Sequence, residues 1–181
     1  MGRKSFLPDS TRSRGSNKMD AAERKKLLLA EDNILWENCA ADFRRGTGNG
    51  GQKLNKTSSA VRIFHPETGI TVNCLESRSQ SVNRHLALKK LRFRIACSER
   101  CDLTGQETFK LEPAPSVSNK NYPYWIAMTF DHLAAADWDL KEAAVKLGTS
   151  RSKLTKLLQR DDSLWREFLH QSTKKNTDQN I

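Results

Sequence analysis

Apolar and polar positions follow two rhythms along this chain. From Ser59 to His65 they alternate (Ser-Ala-Val-Arg-Ile-Phe-His). Pro66-Glu67-Thr68-Gly69 is a turn signal, and Ile70–Cys74 alternates again, so the stretch predicts an antiparallel hairpin. On either side the spacing is helical. Asp20 to about Cys39 predicts one helix, with Asp20 as cap, Glu23 three residues on, and Leu27, Leu28, Ile34 and Leu35 as its apolar side. Within it, Arg24-Lys25-Lys26 reads as a solvated face, with contact to RNA as the alternative. Ser79 to about Arg100 predicts a long basic helix with Val82, Leu86, Leu88, Leu91, Phe93 and Ile95 inward. Residues 102–123, with Pro113, Pro115 and Pro123, read as a linker. Helices follow at Trp125–Ala136, Leu140–Leu147 and Ser150–Gln159, with Trp125, Trp138 and Trp165 as core residues, and residues 170–181 form a polar, frayed tail. The fold class is α+β. The expected organisation is a disordered basic extension (1–19), an α+β domain (20–101), the linker, a small all-α domain (124–169) and a flexible tail (170–181).

Charge sharpens this picture. The net charge is +10, and residues 45–100 hold eleven Lys/Arg against three Asp/Glu, so an excess of eight sits in one short segment. Such concentration points to a polyanion, RNA or DNA. No apolar run approaches the roughly 20 residues of a membrane span, so no membrane partner is expected. Four cysteines (Cys39, Cys74, Cys97, Cys101) suit a reducing compartment. They lack a second pair at zinc-ligand spacing, and no metal site is expected. The first eighteen residues are basic, with Asp9 their only acid. They read as a disordered extension, a mitochondrial presequence being the alternative.

Gly46-Thr47-Gly48-Asn49-Gly50-Gly51 holds four glycines in six positions and cannot be regular structure. As a nucleotide cradle it fails, because no Lys-Ser/Thr follows the glycines and no strand leads into a G-x-G-x-x-G helix. Arg45-Gly46-Thr47-Gly48-Asn49-Gly50-Gly51-Gln52, followed by Asn55-Lys56-Thr57-Ser58-Ser59-Ala60-Val61-Arg62, resembles the catalytic domain of class I peptide-chain release factors. The resemblance continues through His65, Thr68-Gly69-Ile70, Cys74, Arg78-Ser79-Gln80 and Asn83, covering roughly residues 42–96 without insertion.

What the resemblance implies is ribosome-dependent hydrolysis of the ester joining nascent peptide to tRNA, with Gly50, Gly51 and Gln52 catalytic. Glycines let the main chain approach RNA where a Cβ would collide. The backbone N–H of Gln52 would stabilise the oxyanion, and its side chain would position water. His65 reads as structural rather than as a base. Arg45, Lys53, Asn55, Lys56, Arg62, Arg78 and Arg84 are candidate contacts to ribosomal RNA. The implied partners are the ribosome, through large-subunit RNA at the peptidyl-transferase centre, and peptidyl-tRNA. A methyltransferase acting on Gln52 is a further one. No cofactor is implied, and a monomer is expected.

Only about forty residues precede the glycine segment, and no strand-rich codon-reading domain is legible. The architecture is closest to codon-independent factors that rescue stalled ribosomes, though the tail after Asp162 offers only Arg166, Lys174 and Lys175 as basic residues. Leu140–Leu158 resembles a helix-turn-helix of the Fis-like kind. Ala144 sits at the crossing, Gly148 in the turn, and Leu147, Leu154 and Leu157 in the core, with Arg151, Lys153 and Lys156 as nucleic-acid contacts; an ordinary helical hairpin is the alternative. Two other functions stay open: a release-factor homologue associated with RNA repair, and a nucleic-acid-binding regulator acting through the helix-turn-helix. The default compartment is the bacterial cytoplasm, with the mitochondrial matrix as alternative.

Overall fold

The computed structural model describes residues 19–44, 59–103 and 109–178. In chain order these form α1 (Ala21–Leu29), α2 (Asp32–Glu37), β1 (Ala40–Arg44), β2 (Ala60–His65), β3 (Ile70–Cys74), α3 (Gln80–Ser98), α4 (Tyr122–Ala135), α5 (Leu140–Lys146), α6 (Arg151–Leu158) and α7 (Asp162–Asp178). They divide into two compact units. One takes its described residues from 30–92, the other from 19–29 and from Phe93 onward.

The first unit is built on a three-stranded antiparallel sheet in the order β1-β2-β3. Val61, Ile63 and His65 alternate inward along β2 and are buried, as are Val72 and Cys74 of β3. Leu35 of α2 and Ala87, Leu88 and Leu91 of α3 are buried in the same unit, each full-sized aliphatic chain contributing roughly 1.5–3 kcal/mol. The hairpin forms where alternation predicts it. Gly69 takes φ 68°, a left-handed conformation that glycine adopts without a Cβ penalty, and its N–H donates to the His65 carbonyl at 2.9 Å.

The second unit is helical. Residues 125–131 of α4 are all buried, together with Leu27, Leu28, Ile95, Ala96, Cys97, Ala143, Ala144, Leu154, Leu158, Leu164 and Phe168. At its centre lies a charge cluster. Arg24, fully buried, donates from Nη1 to Asp131 Oδ1 at 2.9 Å and to the Glu99 carbonyl at 2.8 Å, and its Nη2 pairs with Asp131 Oδ2. Arg100 Nη1 donates to the same Asp131 Oδ1 at 3.1 Å.

Several expectations need correcting. The single helix expected from Asp20 to Cys39 is two helices and the start of a strand. Its break at residues 30–31 is held by Arg92, which donates to the Ala30 carbonyl at 2.6 Å and to Asp32 Oδ1 at 2.7 Å. Arg24 is not on a solvated face, because Asp131 neutralises it in the interior. Tertiary pairing through this residue also groups α1 with the later helices, and the units part at Arg92/Phe93 inside α3 rather than at residues 101–102. Val82, expected inward, is 45% exposed, and buried Asn83 faces in beside it. Leu157 is half-buried and Leu158 takes its core position, while Leu147 is half-buried. The proline-bearing stretch is partly packed: Leu111 is buried, and its carbonyl accepts from Trp125 Nε1 at 2.9 Å. The polar tail is helical through Asp178.

Candidate functional site

Gly50, Gly51 and Gln52, with Arg45, Lys53, Asn55 and Lys56, lie outside the described residues. Both roots of their segment are described. β1 ends at Arg44, β2 starts at Ala60, and the two residues are register partners in an antiparallel ladder. Their Cα atoms are therefore about 4.5–5.5 Å apart. Residues 45–58 leave and rejoin the sheet at one place.

The return root is clamped by Asn83 in the first turns of α3. Ser59 is buried, and its carbonyl accepts from Asn83 Nδ2 at 2.8 Å. The same nitrogen donates to the Ser77 carbonyl at 2.7 Å. Asn83 Oδ1 accepts from the Glu76 and Ser77 amides at 3.0 and 2.8 Å. The Cys74 thiol adds a longer bond to the same Oδ1 at 3.8 Å, so both N–H donors and both lone pairs of the amide are engaged. One buried side chain thus joins Ser59, the β3–α3 connection and the start of α3.

Around these roots the candidate cations separate into distinct settings. On β2, Arg62 stands opposite Asp42 and Asn73, on the face away from Val61 and Ile63. Arg78 is exposed in the β3–α3 connection. Arg84 is exposed on α3, its guanidinium 4.0 Å from the Trp36 ring centroid. Trp36 in turn lies 6.0 Å from the Phe43 ring at 32°. Sequence reasoning passed over Trp36 and Phe43, whose only signal was two aromatics flanking an otherwise small and polar stretch.

His65 is fully buried, with Nδ1 at 3.0 Å from Thr68 Oγ1 and accepting from the Thr68 amide at 3.4 Å. Burial lowers its pKa, opposed by the nearby Glu67 carboxylate, so it is held neutral as a brace of the hairpin turn. No group of three or more His, Cys, Asp or Glu among the described residues could hold a metal ion. No helix among them is long and apolar enough to cross a membrane.

In the second unit, Asp139 caps α5 by accepting from the Lys141 and Glu142 amides, and Ser150 caps α6 by accepting from the Lys153 amide. Gly148 between them has φ +62°. Arg151, Lys153 and Lys156 are exposed on α6, and the Lys153 ammonium pairs with Glu112.

Residues 29–110 match the family model described as the RF-1 domain. The chain is 51% identical over 65 residues to peptide chain release factor 1 of Caldicellulosiruptor bescii, covering 36% of this chain and 18% of that protein. It is 49% identical over 69 residues to peptide chain release factor 2 of Variovorax paradoxus (36% and 19%). It is also 56% identical over 54 residues to the mitochondrial peptide chain release factor 1-like protein of Rattus norvegicus (30% and 14%). The chain thus spans less than a fifth of the length of these relatives. The glycine segment falls inside the matched stretch, and over residues 29–110 the chain carries an RF-1 domain similar to that of class I peptide-chain release factors.

Proposed function

We propose that this chain hydrolyses the ester of peptidyl-tRNA on the ribosome, without reading a codon, to release peptides from stalled ribosomes. The observation that carries the reading is the RF-1 match across a Gly50-Gly51-Gln52 segment whose two roots are fixed side by side at Arg44 and Ala60. A water oxygen attacks the ester carbonyl carbon, the bond to the tRNA ribose oxygen breaks, and that oxygen takes up a proton. The Gln52 backbone N–H stabilises the charge developing on the carbonyl oxygen while its side chain holds the water. A single well-placed donor of this kind is worth about 10²–10³ in rate. Arg45, Lys53, Asn55, Lys56, Arg62, Arg78 and Arg84 serve as contacts to large-subunit ribosomal RNA, and the chain needs no cofactor.

The test is release of labelled peptide from purified ribosomes stalled on a truncated mRNA. Wild type should release without a stop codon. Gly51→Ala and Gln52→Ala should bind ribosomes yet lose release by about 10²-fold or more. Dependence on a stop codon would refute the codon-independent part, and unchanged release by Gln52→Ala would refute the mechanism.

A second reading concerns the helical unit. The capped α5 and α6, the left-handed Gly148 between them and the exposed Arg151, Lys153 and Lys156 support a helix-turn-helix-like module that touches nucleic acid. Ribosome affinity that falls on Arg151→Ala and Lys156→Ala would support it. Unchanged affinity for both ribosomes and DNA would leave α5–α6 as a packing hairpin.

A further inference from the structure

Phe43 is on the edge strand, in register with Val61, and so points to the face of the sheet that Val61 buries. Val61 is 1% exposed, but Phe43 is 42% exposed. Its ring has one aromatic neighbour among the described residues, Trp36. Trp36 is covered on one side by the guanidinium of Arg84 at 4.0 Å. Two other cations on α3 are paired: Arg92 holds Asp32, and Lys90 holds Glu76. Arg84 makes no ion pair with any described residue, leaving its N–H edges for an acceptor outside the fold. The arrangement is a half-open aromatic ring, a second ring braced by a guanidinium, and an unneutralised cation. It lies one residue from Arg44, where residues 45–58 leave the sheet.

We propose that Phe43, Trp36 and Arg84 form a stacking subsite for one unpaired RNA base, with Arg84 serving the adjoining phosphate or base edge. Single-stranded bases are recognised by stacking on aromatic rings and guanidinium planes, with cations on the backbone. The excess of eight positive charges over residues 45–100 attracts such a strand and disfavours a cationic partner. A protein partner would call for a broader apolar patch than one ring beside a free arginine. The proposal rests on the ribosomal reading for the identity of the RNA. It assigns the root of the glycine segment a base-reading contact distinct from the catalytic Gln52.

The experiment uses the full chain and purified ribosomes, with a photo-crosslinking phenylalanine analogue in place of Phe43, alongside affinity measurements on Phe43→Tyr, Phe43→Leu and Phe43→Ala. Crosslinks should map to a ribosomal RNA nucleotide. Tyr should bind as wild type, while Ala should bind about 5- to 150-fold more weakly. Leu, which keeps apolar area but lacks a π face, should resemble Ala. Unfolding midpoints should stay near wild type, as the ring is exposed. A crosslink only to ribosomal protein, or only back to this chain, overturns the proposal, as does wild-type affinity for Phe43→Ala. Peptide release by the wild type, measured alongside, separates the two readings. If wild type crosslinks to RNA but never releases peptide, the stacking site stands and the hydrolase reading falls; if wild type releases peptide while Phe43→Ala binds unchanged, the reverse holds.

Discussion

Replacing Asn83 with Ala removes four hydrogen bonds of 2.7–3.0 Å at once. The most costly is the bond to the Ser59 carbonyl, which lies in the interior and loses its donor with no water at hand; such an orphan costs about 1–3 kcal/mol. The other three are part-buried and can be partly replaced by water, at about 0.5–1.5 kcal/mol each as an upper range. Together these come to at most about 2.5–7.5 kcal/mol, a large share of the roughly 5–15 kcal/mol that holds a typical domain. The informative assay is amide hydrogen exchange. Glu76 and Ser77 amides, which donate to Asn83 Oδ1, should exchange much faster in Asn83→Ala, with exposed Asn73→Ala as a control that changes little. Peptide release should fall while ribosome affinity holds, because the return root at Ser59 is no longer fixed. A loss below about 1 kcal/mol, or unchanged exchange at Glu76 and Ser77, would refute the clamp.

Three further outcomes are expected. Asp131→Ala leaves Arg24 charged and buried without its partner and should destabilise by about 3–5 kcal/mol in denaturant titration, whereas Asp131→Asn, which keeps an acceptor, should cost less. His65 is held neutral by burial, so the unfolded chain binds its proton at a higher pH than the folded one. Stability should be full above the ordinary histidine value of 6.5 and fall as pH drops below it, by at most about 1.4 kcal/mol at pH 5.5; a flat profile between pH 7.5 and 5.5 would contradict this. Gly148→Ala should cost about 1–2 kcal/mol through backbone strain alone, since a Cβ there meets nothing within 4 Å, and Gly148→Asn should cost less by thermal unfolding.

The hairpin was legible because β2 alternates strictly, and burial follows that alternation residue by residue. The long α3 was legible from its spacing, and the RF-1 domain from the pattern around Gln52. β1 was not legible. Ala40-Ala41-Asp42-Phe43-Arg44 has weak strand propensity, and as an edge strand it shows no regular inward-outward pattern, so only its pairing with β2 makes it a strand. The split between α1 and α2 had no glycine or proline to announce it, because Arg92, sixty residues away, secures the break. Arg24 looked solvated in a run of three basic residues; its burial depends on Asp131, far along the chain. In the helical unit, the turn at Gly148 followed from glycine's tolerance of positive φ, but choosing Leu158 over Leu157 depended on the direction in which α6 presents its side chains.

The paired roots at Arg44 and Ala60 have an evolutionary consequence. The β1–β2 ladder and the Asn83 bond to the Ser59 carbonyl tie both stems to the sheet from positions outside residues 45–58. Selection that keeps those scaffold positions keeps the place at which the chain departs and returns, so the attachment and the glycine-rich sequence between can be inherited as separate traits.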